Sequence, residues 1–199
     1  MKNTVIIIPT RLSASRLPNK PIRKIFDVEM IIHVLRRAKE SQIDKVFVAT
    51  PDKKIFDIVK SNGGESIITQ NKHENGTSRV FEAFTKIKDD NLDLIINLQG
   101  DMPNIKPKAI LKLVNLMRKN DGYIGTLAAE IKNNQEIMDK NIVKVEVSED
   151  LKNNSFLQAD DFFREKKKLN NKKVYHHCGI YAFTKDALSK YVKLEKSKL

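Results

Sequence analysis

The stretch Thr4-Val5-Ile6-Ile7-Ile8-Pro9-Thr10-Arg11-Leu12-Ser13-Ala14-Ser15-Arg16-Leu17-Pro18-Asn19-Lys20-Pro21 decides how the rest of the chain is read. Its first five residues form an apolar, β-branched run with the length of a buried strand. Prolines and small polar residues then break regular structure. Into that loop the sequence sets three cations, Arg11, Arg16 and Lys20. A basic loop at the C-terminal end of a central strand is where open α/β sheets hold anionic ligands. Three positive groups held close together repel one another, and a multiply charged anion such as a nucleoside triphosphate relieves that repulsion. On spacing alone, a solvated basic loop in a lysine-rich protein is an equal reading.

Outward from this stretch, strands and helices alternate. Residues 30–41 carry apolar side chains at 30, 31, 34, 35 and 38, the helical period. Lys45–Thr50 reads as a second buried strand. Asp52 is placed to cap a helix with Ile55, Phe56, Ile58 and Val59 inward and Gly63 at its end. Glu65–Ile68 is a short strand, and Thr77 or Ser78 caps a helix burying Val80, Phe81, Phe84 and Ile87. Residues 92–98 form another buried strand, followed by a helix over Pro107–Lys119 with proline in its first turn. Residues 123–131 and 142–147 read as strands. In the second, Lys144 and Glu146 alternate with Val143, Val145 and Val147, as on a half-exposed strand. Residues 164–173 hold a single apolar side chain and read as a solvated loop. A strand at 175–183 and a helix at 185–194 complete the chain. The pattern predicts one α/β domain over residues 1–199, three-layer α/β/α with a mostly parallel sheet and a small β-rich excursion over residues 150–183.

The formal net charge of +12 invites a nucleic-acid reading. Yet 29 of the 37 basic residues are lysine, only eight are arginine, and there is no tryptophan. Base readout favours arginine and stacking favours aromatics, so no specific nucleic-acid partner is expected. No apolar run approaches the roughly 20 residues of a membrane span. Met1-Lys2-Asn3 leads directly into strand sequence without a cleavage site, so a cytoplasmic protein is expected. The single cysteine, Cys178, excludes an internal disulfide and reads as a small core residue.

Three further segments concentrate chemistry. Gln99-Gly100-Asp101-Met102-Pro103 ends a central strand, where a carboxylate faces the ligand crevice and suits magnesium, which takes one or two protein carboxylates plus substrate phosphates. A turn aspartate bonding its own backbone is the alternative. His73-Glu74-Asn75-Gly76-Thr77-Ser78-Arg79 enters a helix whose free N–H groups suit phosphate or base edges; an ordinary glycine turn and cap is the alternative. In Tyr175-His176-His177-Cys178-Gly179-Ile180-Tyr181 the two histidines point to opposite faces of a strand, which argues against a shared zinc ion.

Taken together, these strings resemble the cytidylyltransferases that activate sugar acids, most closely the 3-deoxy-manno-octulosonate (KDO) cytidylyltransferases. The family carries Ile-Pro-Ala-Arg, small residues, then Ser/Thr-Arg-Leu-Pro-x-Lys-Pro; here Thr10 replaces the alanine. Its Gln-Gly-Asp-Glu-Pro appears with Met102 for glutamate. Its His-x-Ser-Gly-Thr-Asp/Glu-Arg departs here at Asn75 and Ser78. Its His-x-Gly-Ile-Tyr matches at His177 and Tyr181. The resemblance covers nearly the whole chain and implies a homodimer formed partly through the excursion. It also implies the reaction of CTP with KDO, giving CMP-KDO and pyrophosphate for lipopolysaccharide synthesis.

The resemblance assigns Arg11, Arg16 and Lys20 to the triphosphate. Asp101 falls to Mg2+; Thr10, Ser15, His73, Gly76, Thr77 and Arg79 to the nucleotide; and Gln99, His177 and Tyr181 to the sugar acid. The family's Ala-Leu-Tyr-Phe-Ser-Arg, whose arginine binds the sugar carboxylate, is expected to be replaced by 155–160, with no arginine. Family chains also run several tens of residues past the point matching Leu199, through Leu-Glu-Gln-Leu-Arg and a second metal-binding aspartate. On that basis the chain as given is expected to bind nucleotide and turn over slowly or not at all. A sialate-type cytidylyltransferase, an inactive nucleotide-binding homologue and a nucleic-acid-binding protein are the alternatives.

Overall fold

Thr4–Pro9 (β1) is buried at every residue, which requires cover on both faces of the strand. The structure, a computed structural model, describes residues 3–13, 17–165 and 172–195. After β1 come a short 3-10 helix, Lys20–Ile22, and a small hairpin of β2 (Lys24–Ile25) and β3 (Val28–Glu29). Next are α1 (Met30–Glu40), β4 (Lys45–Thr50), α2 (Lys53–Ser61), β5 (Glu65–Ile68) and α3 (Gly76–Ile87). The second half contains β6 (Leu94–Leu98), α4 (Pro107–Lys119), β7 (Ile124–Ala129), α5 (Asn134–Met138) and β8 (Lys144–Val147). β9 (Asp161–Phe163), β10 (Lys173–Thr184) and α6 (Lys185–Tyr191) follow.

Eight strands make one sheet in the order β5-β4-β1-β6-β10-β8-β9, with β7 also paired to β10. β5, β4, β1 and β6 are parallel neighbours. β10 runs against β6, β7 and β8, and β9 runs against β8. Most strands therefore share one direction, as the helix–strand alternation predicts.

The alternation of side chains along β1 divides the core into two. Ile6 and Ile8 pack with α1, α2 and α4, including Ile31, Leu35, Ile55 and Val114. Val5 and Ile7 pack with α3 and α6 through Val80, Phe84 and Leu188. The result is the three-layer α/β/α arrangement, in which each fully buried isoleucine contributes roughly 1.5–3 kcal/mol.

Several local expectations are corrected. Asp52 stands at the N-cap of α2, but its side chain makes no capping bond; the carboxylate is drawn off to Leu12 instead. The cap of α3 is Asn75, whose side chain accepts from the Ser78 N–H, and not Thr77 or Ser78. β8 is not half-exposed: Lys144 and Glu146 are as buried as Val145 and Val147. β10 and β9 flank the strand, and the 139–142 turn and Arg164 lie over Lys144. The Lys144 ammonium is accommodated by donating to the carbonyls of Asp139, Ile142 and Arg164 at 2.8, 3.0 and 2.5 Å. The predicted loop over 164–173 lies mostly outside the described residues, although Lys173 already belongs to β10.

Candidate active site

The C-terminal ends of β1 and β6 lie side by side, and the loops leaving them open a cavity of about 260 Å³. Gly100 allows this approach: a Cβ there would stand 3.0 Å from the Pro9 carbonyl and 3.1 Å from Thr10 Cβ. The β1 loop supplies Thr10, Arg11 and Lys20 to the wall, and the β6 loop supplies Gln99 and Asp101. The N-terminus of α3 closes the third side with His73, Gly76 and Arg79. Residues scattered over 90 positions of sequence thus converge at the crevice where open α/β sheets bind ligands.

Lys20 Nζ donates to Asp101 Oδ2 at 2.7 Å, so the carboxylate of this turn residue is paired with a cation on the wall. Thr10 is buried, with its N–H bonded to the Ala49 carbonyl at 3.0 Å. Arg79 is almost wholly buried and donates to Thr69 Oγ1 (2.5 Å) and the Gln70 carbonyl (2.9 Å), clamping the 69–71 segment. Burial, and then the charge of Arg11, pull its pKa down; Glu82 and Asp52 oppose them.

His73 Nε2 donates to Glu82 Oε2 at 2.5 Å, and its Nδ1 lies 3.2 Å from Ser78 Oγ. Glu82 also accepts from Lys86 and from the Gln70 N–H. Burial raises the Glu82 pKa, but the bonds from Lys86, Gln70 and His73 outweigh it and lower the carboxyl to about 2. Glu82 escaped the sequence reading. The available signal was its place one helical turn after Ser78, on the side of α3 that meets the His73 loop.

Other expected residues lie around the cavity and not on its wall. Thr77 Oγ1 accepts from Asn97 Nδ2 at 3.2 Å, while Gln99 Nε2 donates to Asn97 Oδ1 at 3.0 Å. His177 and Tyr181 are on β10, with ring centroids 5.4 Å apart. His177 Nε2 is 3.0 Å from Thr126 Oγ1, and Phe162 of β9 meets its ring edge-on at 5.1 Å. Burial, then His176, lowers the His177 pKa, and burial raises those of Tyr181 and Cys178, so the Cys178 thiol is not poised as a nucleophile. A Cβ on Gly179 would lie 3.7 Å from Gln99 Cγ, so Gln99 connects the cavity with β10. Ser15 and Arg16 lie outside the described residues.

Residues 155–160, which hold no arginine, lie in neither a helix nor a strand. β9, which pairs β8 on the side away from β10, follows at Asp161–Phe163, and Arg164 stands immediately after it. Arg164 Nη1 donates to the carbonyls of Asn141 (2.8 Å) and Lys140 (3.2 Å).

A family model described as Cytidylyltransferase matches residues 5–199. The chain is 37% identical over 197 residues to a 3-deoxy-manno-octulosonate cytidylyltransferase of Brucella canis, covering 98% of this chain and 78% of that protein. Among solved structures, a CMP:2-keto-3-deoxy-manno-octonic acid synthetase complexed with CTP superposes with a TM-score of 0.86 at 36% identity, covering 98% of this chain and 79% of that one. A cytidylyltransferase of Leptospira borgpetersenii shares the fold, with a TM-score of 0.62 at 21% identity, over 99% of this chain and 66% of the other. With motif order, cavity and overall sequence in agreement, the chain belongs to the cytidylyltransferase family.

Proposed function

We propose that the chain joins CMP to KDO, consuming CTP and releasing pyrophosphate, in the cytoplasm and as a step of lipopolysaccharide synthesis. The observation that carries this reading is the cavity at the ends of β1 and β6, where Arg11 and Lys20 stand beside Asp101 and the N-terminus of α3. The KDO name of the Brucella relative supports this sugar acid, and the comparisons favour none of the alternatives raised by the sequence.

In this reading the triphosphate lies against Arg11 and Lys20, and Arg16 from the same loop joins them. The cytidine lies along the His73–Arg79 segment; Glu82 holds His73, and Arg79 clamps the preceding 69–71 stretch. The sugar acid sits between Gln99, His177 and Tyr181. Its anomeric hydroxyl attacks the α-phosphorus in line and releases its proton to solvent; the new P–O bond forms as the bond to pyrophosphate breaks. The cations and the helix N-terminus neutralise the charge that gathers on the departing phosphates, and holding both substrates in line supplies the remainder of the rate.

Magnesium fits Asp101: a half-exposed carboxylate on the wall of a basic cavity, paired with Lys20, suits an ion that completes its shell with substrate oxygens. When bound, it adds charge neutralisation on the phosphates. A dimer through the excursion is supported by β9, an edge strand that leaves the Phe162 ring half-exposed.

The test is a pyrophosphate-release assay with CTP, KDO and magnesium, with mass spectrometry of the product. The expected result is CMP-KDO formed above background only when both substrates are present. Release with a sialic acid but not with KDO, or release without any sugar acid, would overturn the assignment.

A further inference from the structure

Asp52 Oδ2 accepts a 2.8 Å bond from the backbone N–H of Leu12, forty residues earlier in the chain. The carbonyl of the same Leu12 accepts from the Asn19 N–H at 3.1 Å. These two bonds form the neck of the basic loop. Arg11 immediately precedes Leu12, Lys20 immediately follows Asn19, and both line the cavity. Whatever fixes Leu12 therefore fixes the spacing of the two cations.

Asp52 is itself anchored. Its N–H donates to Thr50 Oγ1 at 3.1 Å, and its carbonyl accepts the bond from Phe56 that opens α2. The start of that nine-residue helix favours a negative group, and a bond from N–H to a carboxylate is stronger than one to a neutral acceptor. Asp101 holds only the tip of Lys20, and an unpinned neck would let the backbone at Arg11 and Lys20 drift apart before the nucleotide arrives. Pinning it beforehand removes an ordering cost from binding.

We propose that Asp52 is a positioning residue that holds Arg11 and Lys20 at the spacing of a triphosphate. It thereby sets affinity for the outer phosphates and not for the nucleoside. The inference rests on the reading that the cavity takes CTP.

Two variants separate its roles. Asp52→Ser keeps a residue type favoured at helix N-caps, so α2 is not weakened at its start, but the hydroxyl is too short to reach Leu12. Asp52→Asn retains the acceptor. Calorimetric affinities for CTP and CMP are measured for both variants and the parent, with Leu12 amide exchange read by NMR. In Asp52→Ser, CTP should bind about tenfold more weakly with CMP within about twofold of the parent, and the Leu12 amide should exchange faster. In Asp52→Asn, CTP affinity should return to within about threefold and exchange to the parent rate. In turnover, the serine variant should raise KM for CTP and leave kcat nearly unchanged. Equal losses for CTP and CMP, an asparagine variant as weak as the serine one, or Leu12 exchange unchanged in both would overturn the inference alone. A parent that binds neither nucleotide would overturn the cytidylyltransferase reading of the cavity as well.

Discussion

Replacing Lys20 with alanine removes the ammonium that lies 2.7 Å from Asp101 Oδ2 on the cavity wall. The two side chains are 36% and 52% exposed, so their pairing adds only about 0–1 kcal/mol to folding. For a chain of this size that is a fall in Tm of roughly 0–4 °C. Against a triphosphate the same ammonium makes a charged hydrogen bond, whose loss costs about 1.5–3 kcal/mol. CTP should therefore bind roughly 10- to 150-fold more weakly in Lys20→Ala. CMP, which lacks the outer phosphates, should change far less. Calorimetry with both nucleotides and a thermal melt on the same sample measure all three quantities. Affinity for CTP within threefold of the parent would refute the reasoning. So would a binding loss accompanied by a fall in Tm well beyond 4 °C, because Lys20 would then be holding the fold and not the phosphates.

Other perturbations give distinct outcomes. Asp101→Asn keeps shape and removes charge, so the tightening of CTP binding by magnesium should vanish while the melt is preserved; titrations that still respond to magnesium as in the parent would reduce Asp101 to a loop residue. The Glu82 pKa lies at about 2 against an ordinary 4.5, so the unfolded chain takes up that proton first on acidification. Its stabilisation is complete above about pH 4.5 and is lost as pH falls towards 2. Tm in the parent should thus drop more steeply over that range than in Glu82→Gln, and parallel curves would contradict the assignment. Lys144→Met leaves three backbone carbonyls without their buried donor and should cost about 3 kcal/mol, lowering Tm by roughly 6–12 °C in a thermal melt; an unchanged Tm would show those carbonyls to be satisfied by water.

The layers and the position of the site were legible because they rest on strong local signals. Val5 to Ile8 could only be a covered strand, and Arg11 and Lys20 emerge at its C-terminal end. What escaped depends on tertiary context. Lys144 and Glu146 alternate as a wet strand would, and only the chain folded over β8 makes them interior. The β2–β3 hairpin turns through Phe26 and Asp27 at φ 47° and 62°, without the glycine or asparagine that marks such a turn. The place of Arg164 was not legible because residues 148–160, between β8 and β9, carry no regular structure to count from. Asp52 has the residue type and position of a helix cap, and its partner at Leu12 is invisible to any local pattern. Arg79 and Glu82 show the same limit: one is aligned by motif, the other is not, yet both secure the loop at 69–73.

If the cavity between the β1 and β6 loops holds the triphosphate of CTP, a crystal structure of the chain with CTP and magnesium will place phosphate oxygens within hydrogen-bonding distance of Arg11 and Lys20, magnesium on Asp101, and cytidine along residues 73–79. Nucleotide bound with its phosphates away from Arg11 and Lys20 would contradict it.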